Sequence, residues 1–215
     1  IEVLEKLKYE WYTLSPLLVE DFELTDLRDL KLKAVKLLRK KLSIMPVYGV
    51  KDPRMARLLP FWQSVFLHVN ARVSYIIACR NPMSVARSLN ARDGYALEKG
   101  YLLWQEHMLH SLTFTENCPR IVVDYDCFMD EPDEQLSRIS ERLNFKFDGN
   151  GAELVEFKSE FLEKSLRHTQ FLEDDIKLDR LVPKLAADIY KLLYALAKDK
   201  ISYDDSDIDV LLSSF

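Results

Sequence analysis

The chain of 215 residues is poor in glycine and has no long apolar run. Its five glycines exclude collagen-like, linker-rich and low-complexity architectures. No apolar run approaches the roughly eighteen residues that a membrane-spanning helix needs, so we expect no membrane span. The first residues do not have the composition of a secretory signal peptide, and we therefore expect a cytoplasmic protein.

A surplus of positive charge is also missing from the sequence. There are 30 lysines and arginines against 35 aspartates and glutamates, which gives a net charge of −5. This balance argues against a nucleic-acid-binding protein, because such proteins need a broad basic face. A small polyanionic ligand remains compatible with the composition, since a few cations and helix N-termini are enough to bind it.

Residues that bind metals are few and poorly spaced. The three cysteines, Cys79, Cys118 and Cys127, do not have the spacing of metal ligands. We interpret Cys79 and Cys127, which lie in or beside apolar strand-like runs, as small buried side chains in a reducing compartment. His107 and His110 lie three residues apart on one predicted helix, but the chain supplies no further ligands at suitable spacing. We therefore expect no metal.

Short apolar segments alternate with helical patterns along the chain. Strands are predicted at 47–51, 73–79 and 120–124, and the last two have the composition of strands that are covered on both faces. Strands that alternate with helices indicate parallel strands joined by helical crossovers. We therefore predict a single α/β domain over residues 1–215, built as a three-layer sandwich with a mostly parallel central sheet.

Apolar residues at helical spacing predict the remaining elements. The helices are expected at 1–14, 27–42, 55–69, 82–91, 96–115, 132–143 and 182–198, and residues 150–215 form a helical C-terminal part. A doubly wound sheet has about five strands, more than the sequence reveals. The chain also begins inside a helical pattern at Ile1 rather than at a methionine. We therefore expect that an N-terminal strand and its phosphate loop are missing from the sequence.

The segment 75–88 is the most informative part of the sequence. It has the pattern of a buried strand that ends at Arg80 and turns directly into a helix carrying Ser88. An arginine at a strand end and a serine in the next helix converge near the helix N-terminus. Free N–H groups and the helix dipole favour a phosphate at that place. The alternative is that Arg80 ends the strand and pairs with Asp52 or Asp126.

Two further motifs flank this junction. Residues 49–54 read Gly-Val-Lys-Asp-Pro-Arg, and residues 121–126 read Ile-Val-Val-Asp-Tyr-Asp. Together with Arg80 and Ser88 they resemble the sulfotransferase family that uses PAPS (3′-phosphoadenosine 5′-phosphosulfate). The resemblance covers residues 47–145. It is closest to bacterial sulfotransferase-like proteins and, in the Lys-Asp-Pro motif, similar to tyrosylprotein sulfotransferases.

The resemblance implies a P-loop-NTPase-like sulfotransferase fold. It also implies an enzyme that moves a sulfuryl group from PAPS, its co-substrate, to a hydroxyl or amine acceptor. By analogy with bacterial relatives, the acceptor is expected to be a small molecule or a glycan. We expect no nucleic-acid partner, and the sequence leaves the oligomeric state open.

The same resemblance assigns four residues to the nucleotide. Arg80 and Ser88 would hold its 3′-phosphate, and arginine suits this role because its guanidinium can form two parallel bonds to phosphate oxygens. Tyr125 and Trp104 would lie beside the adenine. For both aromatic residues the alternative is packing in the core.

Lys51 and Asp52 match the catalytic strand end of the family. Lys51 would lie near the sulfuryl group, where a fixed cation stabilises charge that develops in the transition state. Asp52 would accept the proton of the acceptor. Alternatively, Asp52 caps helix 55–69 or pairs with Arg54.

The sequence departs from the family in two places. Lys164 and Arg167 would cover the nucleotide phosphates, but the Arg-Lys-Gly pattern of the family is absent there. The N-terminal strand, loop and helix that hold the 5′-phosphosulfate in the family are absent as well. Either the sequence has lost them, or the protein does not bind PAPS productively.

Three functions are therefore open. The first is a PAPS-dependent sulfotransferase, and the second is a non-catalytic sulfotransferase-like binding or scaffold domain. The third is a nucleotide-dependent phosphotransferase, which requires a Walker-type loop and a carboxylate that binds Mg²⁺ at a strand end. The spacing of Arg80 and Ser88 argues against the third.

Overall fold

The computed structural model of the protein describes the greater part of the chain. The residues described are 1–145, 151–157, 159, 171, 175, 176, 178–204, 208 and 210. Within them the chain is an α/β protein, mostly helical, with one parallel sheet of two strands. The strands are β1 (Tyr75–Cys79) and β2 (Arg120–Asp124). The helices are α1 (Glu2–Lys6), α2 (Val19–Leu24), α3 (Arg28–Leu42), α4 (Leu59–His68), α5 (Pro82–Asp93), α6 (Leu97–Phe114), α7 (Tyr125–Asp130), α8 (Pro132–Leu143), α9 (Ala152–Glu156) and α10 (Lys184–Ala197).

The chain divides into two compact units. The first comprises Ile1–Val73 with Glu106–Glu116, and the second comprises Ser74–Gln105 with Asn117–Phe215. Both strands and helices α5, α7, α8 and α10 belong to the second unit. The predicted single domain over residues 1–215 stays a prediction.

The described part of the first unit is helical. Its hydrophobic core contains Leu4 from α1, Val35 and Leu38 from α3, and Val65 from α4. The predicted helix 55–69 forms as two pieces, a 3₁₀ turn over Met55–Leu58 followed by α4. Pro60 explains the division, because a residue without an N–H group fits the first turn of an α-helix and disrupts its interior.

The prediction of a helix over residues 1–14 is wrong beyond its first turns. Helix α1 ends at Lys6, and Lys8 has a φ of 58°, in the left-handed region that stops a right-handed helix. Leu7 is nevertheless buried in the core. The apolar pattern of the segment therefore reflects burial of a folded-back chain, not a continuous helix.

The prediction of a strand over residues 47–51 is also wrong. This segment is irregular, and Val47, Tyr48 and Val50 are 55%, 42% and 46% exposed. It does not pair with another strand in the described part of the chain. An apolar run without a hydrogen-bonded neighbour does not form a stable strand.

The other two predicted strands are confirmed, and they pair in parallel. Strand β2 covers the predicted 120–124, and β1 is two residues shorter than the predicted 73–79. The prediction that both strands are covered on both faces is wrong for β1, because Ile76 and Ala78 on one of its faces are exposed. The register runs from Tyr75 beside Arg120 to Cys79 beside Asp124. Helices α8 and α10 pack against β2, which is buried along its whole length. The two carboxyl ends therefore lie side by side.

A tyrosine side chain occupies the edge of β2. The hydroxyl oxygen of Tyr203 accepts a hydrogen bond from the backbone N–H of Val122. The guanidinium groups of Arg120 and Arg142 lie 5.7 Å and 4.4 Å from the centre of the same ring. Burial raises the pKa of Tyr203 above its usual value.

The first unit also contains a buried charge. Arg57 is 0% exposed, and none of its three guanidinium nitrogens has a hydrogen-bond partner among the described residues. Burial lowers the pKa of Arg57, and the carboxylate of Glu106 acts in the opposite direction. A buried charge without a hydrogen-bonded partner lowers the stability of a fold relative to an apolar side chain of similar size.

Helices α5 and α6 approach closely at a glycine. A Cβ atom placed on Gly100 would lie 2.8 Å from the Cα of Ala86 and 2.9 Å from its Cβ. Any larger residue would separate the two backbones, since a helix backbone does not yield locally. Gly100 therefore sets the distance between α5 and the first half of α6.

We predict that Gly100→Ala destabilises the protein, because overpacking of a tight contact typically costs about 1–3 kcal/mol. Thermal unfolding of the variant should show a clearly lower Tm. The matched control is Gly49→Ala, whose added Cβ meets no atom within 4 Å. A Gly100→Ala protein as stable as the Gly49→Ala protein would contradict the close packing of α5 on α6.

Candidate functional site

The carboxyl end of β1 turns directly into helix α5, as the sequence predicts. Asn81 caps the helix, since its Oδ1 accepts a hydrogen bond of 2.9 Å from the N–H of Met83. Its Nδ2 donates a bond of 3.2 Å to the carbonyl oxygen of Phe171. Pro82 fits the first turn, and Gly94 ends the helix with a φ of 70°. Arg80 is thus the residue between the strand and the helix cap.

Arg80 is held at both of its ends. The Nε1–H of Trp104 donates a hydrogen bond of 3.0 Å to the backbone carbonyl of Arg80. The guanidinium of Arg80 lies 4.4 Å from the centre of the Tyr125 ring, the geometry of a cation–π contact. The structure therefore brings together three of the residues that the sequence singled out.

Asp124 places Tyr125 at the end of β2. Its carboxylate is fully buried and caps α7, because Oδ1 accepts bonds of 3.0 Å from the N–H groups of both Asp126 and Cys127. The Sγ of Cys79 lies 3.8 Å from its Oδ2. Burial raises the pKa of the Cys79 thiol, and the charge of Asp124 raises it further. The two cysteines are buried, as expected, and act as small packing groups.

Trp104 lies in the core of the second unit. It is 4% exposed, and its ring meets that of Tyr190 edge-on at 6.3 Å between centres. This is the core packing that the sequence offered as an alternative to a place beside the adenine. The hydrogen bond to the Arg80 carbonyl was not foreseen, because it joins residues that are 24 positions apart.

Two serines lie on one face of α5, four residues apart. Ser88, the predicted phosphate ligand, is exposed in the second turn of the helix. Ser84 is fully buried in the first turn, and its Oγ has no hydrogen-bond partner in the part of the chain described. Ser84 was not among the predicted ligands, although its spacing of four residues from Ser88 places both serines on one face of a helix.

Lys51 and Asp52 belong to the first unit, in the irregular segment before the 3₁₀ turn. The side chain of Lys51 is exposed. Asp52 accepts bonds of 2.8 Å from both the backbone N–H and the Nε–H of Arg54, and its Oδ2 pairs with the Nη2 of Arg54. Hydrogen bonding to Arg54 lowers the pKa of Asp52. Of the alternatives for Asp52, pairing with Arg54 is the one present.

The remaining predicted ligands, Lys164 and Arg167, lie outside the described residues. Much of the predicted helical part at 150–215 lies outside them too, but helix α10 covers 184–197 of the predicted 182–198. The described residues contain no group of three or more His, Cys, Asp or Glu side chains arranged to hold a metal ion. None of the described helices is long and apolar enough to cross a membrane.

Comparison of the chain with protein-family models, with curated proteins and with solved structures gives no match. The case for a function therefore rests on the residues of the site and their geometry.

We predict that Asp52→Asn lowers the Tm slightly at neutral pH and leaves it unchanged at acidic pH. Arg54 holds the pKa of Asp52 below its usual value of 3.8. The stabilisation by the ion pair is therefore present above that value and is lost as the pH falls through the lowered pKa of the folded state. The effect is small, since ion pairs near the protein surface contribute about 0–1 kcal/mol.

The measurement is the Tm of both proteins between pH 7 and pH 2, with Glu116→Gln, an exposed carboxylate of the same unit, as the control. A difference in Tm between Asp52→Asn and the wild type that does not change with pH would contradict the ion pair.

Proposed function

We propose that the end of the sheet around Arg80 binds the 3′-phosphate of PAPS and that the protein is a PAPS-dependent sulfotransferase. One observation carries the proposal. The guanidinium of Arg80 lies on the ring of Tyr125, where β1 and β2 end next to each other. These residues come from two separate motifs of the resemblance, and they meet at the edge of a parallel sheet where α/β proteins bind ligands.

Electrostatics at this edge favour an anion. Helix α5 has 12 residues, and its positive N-terminal end begins just after Arg80. Arg80 is only partly buried. A guanidinium and a helix N-terminus at one place bind a phosphate more strongly than either alone.

The proposal extends to the detailed fold of the chain. A three-layer sandwich with a P-loop-NTPase-like sulfotransferase fold contains a parallel sheet with helices on both faces. Support comes from the parallel pairing of β1 with β2 and from the order of strand, helix and strand between residues 75 and 124.

In the proposed reaction, a hydroxyl or amine of the acceptor attacks the sulfur of PAPS. The bond from sulfur to the bridging oxygen breaks, and adenosine 3′,5′-bisphosphate leaves. A cation near that oxygen stabilises the charge that develops on it, and a base takes the proton of the acceptor. The family resemblance gives these two roles to Lys51 and Asp52. The acceptor is proposed to be a small molecule or a glycan.

A second candidate function is a nucleotide-binding domain without transferase activity. One observation favours it. The carboxylate of Asp52 already accepts two hydrogen bonds and an ion pair from Arg54, which lower its pKa and make it a weaker base. A phosphotransferase is the third candidate, and ATP with Mg²⁺ is the probe that separates it from the other two.

We predict that Arg80→Ala weakens the binding of adenosine 3′,5′-bisphosphate about 30- to 150-fold. This is the effect of losing a charged hydrogen bond to phosphate of about 2–3 kcal/mol. The measurement is calorimetry on the full-length protein, with Arg72→Ala, an exposed arginine before the amino end of β1, as the control. Ser88→Ala should weaken binding about fivefold. Unchanged affinity in Arg80→Ala would remove the assignment of the 3′-phosphate.

We further predict that Lys51→Ala lowers the kcat of sulfuryl transfer about 10²- to 10³-fold and changes the KM for PAPS much less, because the charge that lysine stabilises develops in the transition state. Transfer of ³⁵S from labelled PAPS to a panel of glycans and small hydroxyl acceptors provides the assay. Lys40→Ala, which removes an exposed lysine of α3, is the control. Binding of PAPS without transfer to any acceptor would favour the second candidate function.

A further inference from the structure

We propose that Trp104 is a positioning residue. It holds Arg80 in the orientation that selects a nucleotide with a 3′-phosphate, and it does not contact the adenine. The inference rests on the proposed function and assigns to this side chain a different role from the one that the family resemblance implies.

A hydrogen bond from Trp104 holds the backbone of Arg80. The Nε1–H of Trp104 lies 3.0 Å from the carbonyl oxygen of Arg80. That carbonyl belongs to the residue directly after β1 and directly before the helix cap Asn81. A buried indole N–H needs an acceptor, so this bond fixes the backbone at the point from which the Arg80 side chain leaves.

The tip of the Arg80 side chain is held as well. The guanidinium of Arg80 rests on the face of Tyr125, 4.4 Å from the ring centre. A long side chain that is fixed at its backbone and at its tip has lost most of its rotamers before a ligand arrives. Less entropy is then lost when a phosphate binds, which is how preorganisation raises affinity.

Trp104 itself has little room beside it. The residue is 4% exposed, and the edge of Tyr190 packs on it. One turn earlier, Gly100 brings α6 into close contact with Ala86 of α5. A ring that is enclosed in this way offers no free face on which an adenine can stack.

Calorimetry with two ligands tests the proposal on the full-length protein. Adenosine 3′,5′-bisphosphate has the 3′-phosphate, and adenosine 5′-monophosphate has the same adenine without it. Trp104→Phe keeps an aromatic ring in the core and removes the N–H donor. We expect the affinity for the bisphosphate to fall about five- to tenfold, while the affinity for the monophosphate stays within about twofold of the wild type.

Trp62→Phe, a tryptophan substitution in the other unit, is the matched control and should change neither affinity. If Trp104→Phe weakens both ligands equally, Trp104 contacts the adenine or merely supports the fold, and the inference is wrong. If Trp104→Phe binds both ligands like the wild type, the hydrogen bond has no positioning role, and the inference is wrong as well. A wild-type protein that binds neither ligand refutes the proposed function itself.

Should Trp104→Phe not fold, the wild-type protein provides a second measurement. The chain has three tryptophans, so Trp11→Phe and Trp62→Phe assign the indole N–H resonances of the other two, and the remaining signal is that of Trp104. We expect this signal to shift when the bisphosphate is added and to stay in place with the monophosphate. Equal shifts with both ligands would overturn the proposal.

Discussion

The parallel pairing of β1 with β2 is the constraint on which the candidate site depends. Because both strands run in the same direction and end in register at Cys79 and Asp124, the next residues of both chain segments emerge at one edge. Those residues are Arg80 and Tyr125. A slip of one residue in β1 would turn its side chains to the opposite face and expose Ile77 and Cys79, which are buried. Register is therefore as important to the site as the side chains themselves.

The surroundings of Arg80 combine a core with a polar edge. Trp104 and Asp124 are buried and hydrogen-bonded to backbone groups, and these bonds fix the two strand ends. Arg80 is partly buried, and Ser88 is exposed. This division, with rigid buried groups beside more exposed polar ones, is what a selective binding site needs.

Some elements of the fold could be predicted from the sequence more accurately than others. Strand β2 and helix α8 were predicted to the residue, because an uninterrupted apolar run and a clear helical repeat are local signals. The segment 47–51 has a similar apolar composition but lacks a pairing neighbour among the described residues. Pairing is a property of the whole fold, and no local pattern reveals it.

At the candidate site, too, some features could be predicted from the sequence and others could not. The motif placed Arg80 and Tyr125 at strand ends, and their contact follows from the parallel sheet. The role of Trp104 could not be predicted, since its helical pattern indicates burial but not the acceptor of its N–H group. The pairing of Asp52 with Arg54 was one of the alternatives, because residues two apart around a proline turn are close in any fold.

The tyrosine at the edge of β2 has a consequence for the behaviour of the protein in solution. An open strand edge is a template for edge-to-edge pairing with other chains, and aggregation begins there. The hydroxyl of Tyr203 occupies the N–H of Val122 at that edge, and the guanidinium groups of Arg120 and Arg142 flank the ring. An incoming strand would have to displace a hydrogen-bonded ring and approach two positive charges. The apolar strand that supports the site is thereby guarded against intermolecular strand addition.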